Sequence, residues 1–176
     1  MQLISKTDIG QLKHRKAEVD TLFNNNRNKI IVFVKLADKN DLVQIENEKW
    51  PDSIETTYNL FKGNNGKLIV AREMPYSESG DWDITFSHYF DKDGKTFAFE
   101  RQTIFFNSIC TDDVAYETKT EYYDTDLKII GKEYKLIDQK GNSLQKDSCI
   151  FDYDRGYKVI ANIDKYLRDK KIKNGK

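Results

Sequence analysis

Hydrophobic positions near the N-terminus recur at three- and four-residue steps, which is the spacing of one face of an α-helix. The face consists of Ile9, Leu12, Val19, Leu22 and Phe23. Ser5 and Thr7 precede it as candidate N-caps, and three asparagines at 24–26 follow it. The pattern predicts a first helix that ends near Phe23.

A second helical spacing lies near the C-terminus, over residues 156–171. One face carries Val159, Ile160, Ile163, Tyr166 and Leu167. Asp152 and Asp154 come before it as candidate caps. This pattern predicts an amphipathic helix that needs a sheet to cover its apolar face.

Between the two helical patterns, apolar and polar residues alternate with the period of a β-strand. Residues 30–36 are apolar at nearly every position, which predicts a central strand covered on both faces. Turn-forming residues then interrupt the alternation at 63–66, 92–95, 124–126 and 139–142. The predicted fold is α+β, an antiparallel meander of about six or seven strands with an N-terminal and a C-terminal helix packed against it.

Composition favours one folded domain over residues 1–176. The 176 residues include 10 Phe, 10 Tyr and 2 Trp, which supply enough apolar surface for one core. Only two prolines and nine glycines interrupt the chain, and no linker of low complexity divides it. No apolar run reaches the roughly 18 residues of a membrane span.

Charge is balanced over the whole chain but unevenly distributed along it. The 29 basic and 29 acidic side chains give +3 for residues 1–72, −9 for 73–126 and +6 for 127–176. The overall balance argues against a polybasic nucleic-acid binder, so no nucleic-acid partner is expected. The acidic middle instead predicts a surface that attracts a basic protein partner. Its candidate contact residues are Asp81, Asp83, Asp112, Asp113, Glu117 and Glu121.

The opposite interpretation of these acids is also open. If neighbouring strands place the acids of one strand beside the lysines of the next, the charges cancel and no acidic surface forms.

The dipeptide Asp93-Gly94 suits a two-residue type I′ hairpin loop, which would fix the register of its two strands. Phe90 would then face Phe97, and Tyr89 would face Ala98. The same register places mostly aromatic side chains on one face, together with a histidine and an arginine. That set contains Trp82, Phe86, His88, Phe99 and Arg101.

A guanidinium on an apolar face must find a carboxylate, water or an anionic ligand. One interpretation is therefore an aromatic cavity in which His88 and Arg101 bind the acidic group of a small molecule. In the other interpretation, Arg101 reaches the sheet margin or pairs with Glu117 or Glu121, and His88 is a hydrogen-bonded core residue.

The sequence contains no recognisable catalytic or cofactor-binding motif. Neither His14 nor His88 lies in a nucleophile motif, and no phosphate-binding glycine loop or metal-ligand spacing is present. We therefore predict a protein that is not an enzyme and that needs no metal or other cofactor.

Cys110 and Cys149 are the only cysteines, and two buried free thiols are the default prediction for such a pair. The alternatives are a disulfide, if the protein is exported, and a reactive thiol. No secretory signal precedes the first helix, so Met1 as the native start predicts a cytoplasmic protein. A chain from which a signal or lipid anchor had been removed would be extracytoplasmic.

Two functions follow from these observations. The first is a non-catalytic protein-interaction module, of the inhibitor or immunity type, that uses its acidic strand region. The alternative is a small-molecule binding or carrier domain that uses the aromatic face. The sequence does not indicate an oligomeric state.

Overall fold

The computed structural model describes residues 8–151 and 155–172. It confirms the α+β class and has eight strands, slightly more than predicted. The helices are α1 (Ile9–Asn25) and α2 (Ile163–Asp169). The strands are β1 (Ile31–Leu36), β2 (Leu42–Gln44), β3 (Ile54–Lys62), β4 (Leu68–Pro75), β5 (Trp82–Phe90), β6 (Thr96–Phe105), β7 (Ala115–Tyr123) and β8 (Ile129–Asp138).

All eight strands form one antiparallel sheet in the order β2-β1-β3-β4-β5-β6-β7-β8. From β3 onward, strands that are consecutive in the chain are neighbours in the sheet, as a meander requires. β1 is not the central strand that its apolar run predicted. It lies next to the edge strand β2, and of its residues only Val34 and Leu36 are buried.

Helix α1 packs on one face of the sheet, where Leu12, Val19 and Phe23 are buried. Its N-cap is Asp8, whose Oδ1 accepts a hydrogen bond of 2.8 Å from the Gly10 N–H. The predicted caps Ser5 and Thr7 lie outside the described residues. No described helix is long and apolar enough to cross a membrane.

The predicted long C-terminal helix is wrong in extent. Only α2 is helical, and it starts after the cap Asn162, whose Oδ1 accepts the Lys165 N–H at 2.9 Å. The preceding residues lie across the other face of the sheet without helical structure. The Ile160 N–H donates to His88 Nε2 at 3.1 Å, and the Ile160 carbonyl accepts the Thr96 hydroxyl at 2.6 Å. Because the sheet satisfies these backbone groups, they are not available for a helical turn.

The caps predicted for that helix, Asp152 and Asp154, lie outside the described residues.

The β5–β6 register is as predicted from Trp82 opposite Phe105 to Tyr89 opposite Ala98. The loop itself is not the predicted two-residue turn. The Asp91 N–H donates to the Lys95 carbonyl at 2.8 Å, and Gly94 has a φ of +78°. The extra residue places Phe90 opposite Thr96, so Phe97 turns to the α1 face instead of facing Phe90.

The β3–β4 and β7–β8 hairpins have the same hydrogen-bonding pattern as the β5–β6 hairpin. In the β7–β8 turn, the position with positive φ holds Leu127, at +61°, where the other two turns have glycine. We call the end of the sheet formed by the turns 63–67, 91–95 and 124–128 the turn end. The opposite end, formed by the connections 37–41, 76–81 and 106–114, is the loop end.

Candidate interaction surface

The aromatic face is covered by the segment between β8 and α2, which we call the C-terminal segment. Tyr157 of this segment stacks on Phe86, with ring centroids 4.3 Å apart, and on Phe99 at 5.3 Å. Trp82, Phe86 and Phe99 all belong to the hydrophobic core. Two of the predicted ligand-binding walls, Phe86 and Phe99, are therefore packed against the protein's own chain.

His88 is fully buried beneath the same segment, and its Nε2 accepts the Ile160 N–H. Burial, reinforced by the nearby Lys170 ammonium, lowers the pKa of His88 to about 3. The imidazole is therefore neutral at physiological pH and does not offer a positive charge to an acidic ligand.

Arg101, which pairs with Phe86 across β5 and β6, is half-buried. Its Nε donates to the Thr103 hydroxyl at 3.2 Å. His88 thus has a backbone hydrogen bond inside the core, and the Nε of Arg101 bonds Thr103 on its own strand.

Several acids of the chain's middle are internal. Glu117 is only 3% exposed and accepts hydrogen bonds from the Tyr134 hydroxyl and from Lys119, each at 3.0 Å. Glu121 lies 2.8 Å from Lys132 on the neighbouring strand. Both carboxylates are paired with lysines, but only Glu121 meets a lysine of the neighbouring strand, as the opposite interpretation expected, since Lys119 lies on the same strand as Glu117.

The remaining predicted contact residues, Asp81, Asp83, Asp112 and Asp113, are exposed at the loop end. Four further exposed acids lie in or beside the loop-end connections. We call the eight together the acidic set: Asp38, Asp41, Asp52, Glu78, Asp81, Asp83, Asp112 and Asp113. Within residues 8–151 and 155–172, none of the eight forms an ion pair with a lysine or arginine. The connections 37–41, 76–81 and 106–114 contain six of these acids and a single basic residue, Lys39, so the loop end is acidic even though the chain as a whole is neutral.

Sequence reasoning missed half of the acidic set. Asp38, Asp41 and Asp52 fall in the part of the chain whose summed charge is +3. They join the loop end because β1 and β3 pair antiparallel, with Leu36 opposite Ile54. A signal was present in the sequence, since acids are concentrated in the segments between predicted strands.

A cavity of about 760 Å³ opens at the loop end. Its lining includes Glu55, Tyr76, Glu78, Trp82 and Arg155. Trp82 is the only predicted ligand-binding residue that lines it.

Within this cavity, Glu55 is paired with Lys35 at 2.8 Å. Glu78 and Arg155 form no ion pair with another described residue. The cavity thus combines aromatic walls with one carboxylate and one guanidinium, neither of which is ion-paired to another described residue.

The two cysteines form a disulfide, which corrects the default prediction of two free thiols. The bond joins the β6–β7 connection to the segment that follows β8, across 39 positions of sequence. The Cα atoms are 4.6 Å apart. Beside the bond, the ring of Phe105 stacks on that of Phe151 with centroids 4.0 Å apart.

Among the described residues, no three His, Cys, Asp or Glu side chains converge as metal ligands would. Comparison of the chain with protein-family models, with curated proteins and with solved structures finds no significant match.

Proposed function

We propose that this protein is a non-catalytic interaction module that binds a basic protein partner through its loop end. The observation that carries the proposal is the concentration of the acidic set there, with no compensating ion pairs in the described chain. Unpaired carboxylates on neighbouring loops produce a local negative potential, which accelerates the approach of a basic partner and favours its binding.

The position of these residues also supports binding. Loops held by a rigid sheet are common recognition elements, because they vary in shape while the sheet keeps them in place. The loop-end cavity, with Tyr76 and Trp82 on its walls, adds a concave element large enough to receive several side chains of a partner.

The carrier interpretation has less support. Its two proposed anchors are a neutral, fully buried His88 and an Arg101 whose Nε bonds Thr103. Tyr157 already occupies the aromatic face that a ligand would need.

The disulfide also favours one of the two predicted locations. Stable disulfides form and persist in oxidising compartments and are rare in the cytoplasm. We therefore propose an extracytoplasmic site of action, in which the partner is also secreted or periplasmic.

The proposal predicts that neutralising loop-end acids weakens binding to a basic probe. A synthetic peptide of alternating lysine and serine serves as the probe, because it presents positive charge without apolar side chains. The triple variant Asp81→Asn, Asp112→Asn, Asp113→Asn should bind it roughly five- to tenfold more weakly at low salt. The difference should shrink as salt is added, and fluorescence anisotropy measures both effects.

A matched control removes three exposed acids outside the loop end: Asp93→Asn, Asp126→Asn and Asp164→Asn. Asp93 and Asp126 lie in turns of the turn end, and α2, which contains Asp164, starts beside Gly94. This variant has the same net charge as the first, so overall charge is held constant. Equal weakening by the two triple variants would show that the loop end has no special role and would refute the proposal.

A further inference from the structure

Exposed apolar side chains flank the disulfide at the loop end. Ile109, just before Cys110, is 70% exposed, and Ile150, just after Cys149, is 56% exposed. Phe106 of the same loop is 43% exposed. Single exposed apolar residues are ordinary, but a group of large ones is characteristic of interaction sites. We call these three residues the apolar patch.

The disulfide holds the patch together. With the cysteine Cα atoms 4.6 Å apart, the Cα atoms of Ile109 and Ile150 lie within about 12 Å of each other, since consecutive Cα atoms are about 3.8 Å apart. The two residues belong to segments that are far apart in sequence, since the cysteines beside them are separated by 39 positions.

Among the described residues, no hydrogen bond joins the two segments to each other. In the β6–β7 connection, the Phe106 N–H bonds the Asp81 carbonyl at 2.9 Å and the Asn107 amide bonds the Asp81 carboxylate at 2.6 Å. On the other side of the disulfide, the Cys149 N–H bonds only the nearby Lys146 carbonyl, at 3.0 Å. Phe151, which follows Ile150, stacks on Phe105 at the end of β6, so this segment also contacts the sheet. Among the described residues, the disulfide is thus the direct link that fixes Ile109 relative to Ile150.

Acids border the patch. Asp112 and Asp113 follow Cys110 closely and are exposed, and Asp81 is bonded to Asn107 beside Phe106. Lys146, the nearest lysine in sequence to Cys149, is positioned over the Tyr134 ring, 5.6 Å from its centroid. An apolar centre with an acidic border complements a segment that carries both apolar and basic side chains. The same border repels an anionic bilayer surface.

We infer that the apolar patch is the docking site for an amphipathic basic segment of the partner, and that the disulfide must be intact for tight binding. This inference rests on the proposed function. It specifies the chemistry of the partner and states that binding depends on the oxidised disulfide.

The test uses two peptides of equal length and charge, one of lysine and leucine patterned as an amphipathic helix, the other of lysine and serine. Binding to the full-length oxidised protein is measured by fluorescence anisotropy. The lysine–leucine peptide should bind the wild type roughly tenfold more tightly than the lysine–serine peptide. The double variant Ile109→Ser, Ile150→Ser should lose most of that advantage.

The variant Cys110→Ser, Cys149→Ser should lose it as well, with far-UV circular dichroism checking that the sheet is retained. The serine variants of the isoleucines keep the disulfide, so they test the patch even if the cysteine variant unfolds. The matched control is Ile129→Ser, Ile130→Ser, because these two isoleucines are exposed at the start of β8, next to the turn end. This control should bind like the wild type.

Equal binding of the lysine–leucine peptide by the wild type, both isoleucine variants and the cysteine variant would overturn the inference. If the lysine–serine peptide still required the loop-end acids, the proposed function would stand without it. If neither peptide bound the wild type, both would fail. Sedimentation that showed the oxidised protein dimerising through Ile109 and Ile150 would assign the patch to a second copy and refute the inference.

Discussion

At the scale of single residues, His88 shows how a polar side chain is retained inside an aromatic layer. Its ring lies 5.0 Å from the Phe99 centroid and 5.1 Å from that of Tyr166. The Ile160 N–H requires an acceptor in this buried region, and neutral Nε2 supplies one. His88 thereby links the sheet to the C-terminal segment that covers it.

This arrangement predicts loss of stability in mild acid. The pKa of His88 is about 3 in the folded state and 6.5 in the absence of the fold, so between these values only the unfolded chain takes up the proton. Above pH 6.5 His88 is neutral in both the folded and the unfolded chain, so it does not lower the free energy of unfolding. Below pH 6.5 the free energy of unfolding falls by about 1.4 kcal/mol per pH unit as the pH decreases toward 3.

Urea denaturation at several pH values between neutrality and about pH 4.5 measures this dependence, with His88→Gln as the comparison. Carboxylates titrate in both proteins, so the difference between their slopes isolates the histidine. Parallel slopes for the wild type and the glutamine variant would contradict the prediction.

At the scale of elements, α1 is fastened to the sheet by a buried ionic cluster as well as by apolar packing. Lys16 lies 2.8 Å from Asp20 and 2.7 Å from Glu100 of β6. Asp20 also accepts hydrogen bonds from Arg72 at 3.0 Å and from the Tyr89 hydroxyl at 2.8 Å. Burial opposes the charge on Lys16, but Glu100 and Asp20 outweigh it and raise the pKa of Lys16.

Removing one charge of this cluster should lower the free energy of unfolding more than removing an oppositely charged pair. Lys16→Met leaves Glu100 buried without its cation and should lower the free energy of unfolding by about 3–5 kcal/mol. Lys16→Met combined with Glu100→Met should recover most of that loss, because no unpaired charge remains. Chemical denaturation of both single variants and the double variant completes the cycle. Additive losses would show that the two charges are not coupled.

At the scale of the whole molecule, the disulfide joins the loop end to the segment that covers the aromatic face. It closes a loop that spans 39 positions. In the chain-entropy model such a closure stabilises the folded state by roughly 2–4 kcal/mol. We therefore expect a loss of this size when the bond is reduced.

Guanidinium denaturation of the oxidised protein and of the protein in reducing agent measures the loss. Cys110→Ser with Cys149→Ser should behave like the reduced protein in either condition. An unfolding midpoint that did not respond to reduction would indicate that the bond adds no stability.

The sequence by itself determined α1, the meander and the β5–β6 register from Trp82 opposite Phe105 to Tyr89 opposite Ala98. These depend on side-chain periodicity and on turns between strands that are adjacent in the chain, such as Asp91–Lys95. It did not reveal that Lys16 interrupts the apolar face of α1, because the compensating Glu100 lies on a distant strand. Only the tertiary structure pairs Glu121 with Lys132, leaves the acidic set without an ion pair to any described lysine or arginine, and joins Cys110 to Cys149.

The C-terminal segment shows the same difference between what the local sequence pattern determines and what the tertiary structure determines. Its residues have helical spacing, yet the Ile160 backbone bonds His88 and Thr96 and only α2 remains helical. Local pattern decides an element when its hydrogen bonds stay within it or pass to the next strand. The tertiary structure decides where backbone groups, charges or thiols find partners far along the chain, because those partners are set by how the sheet brings distant segments together.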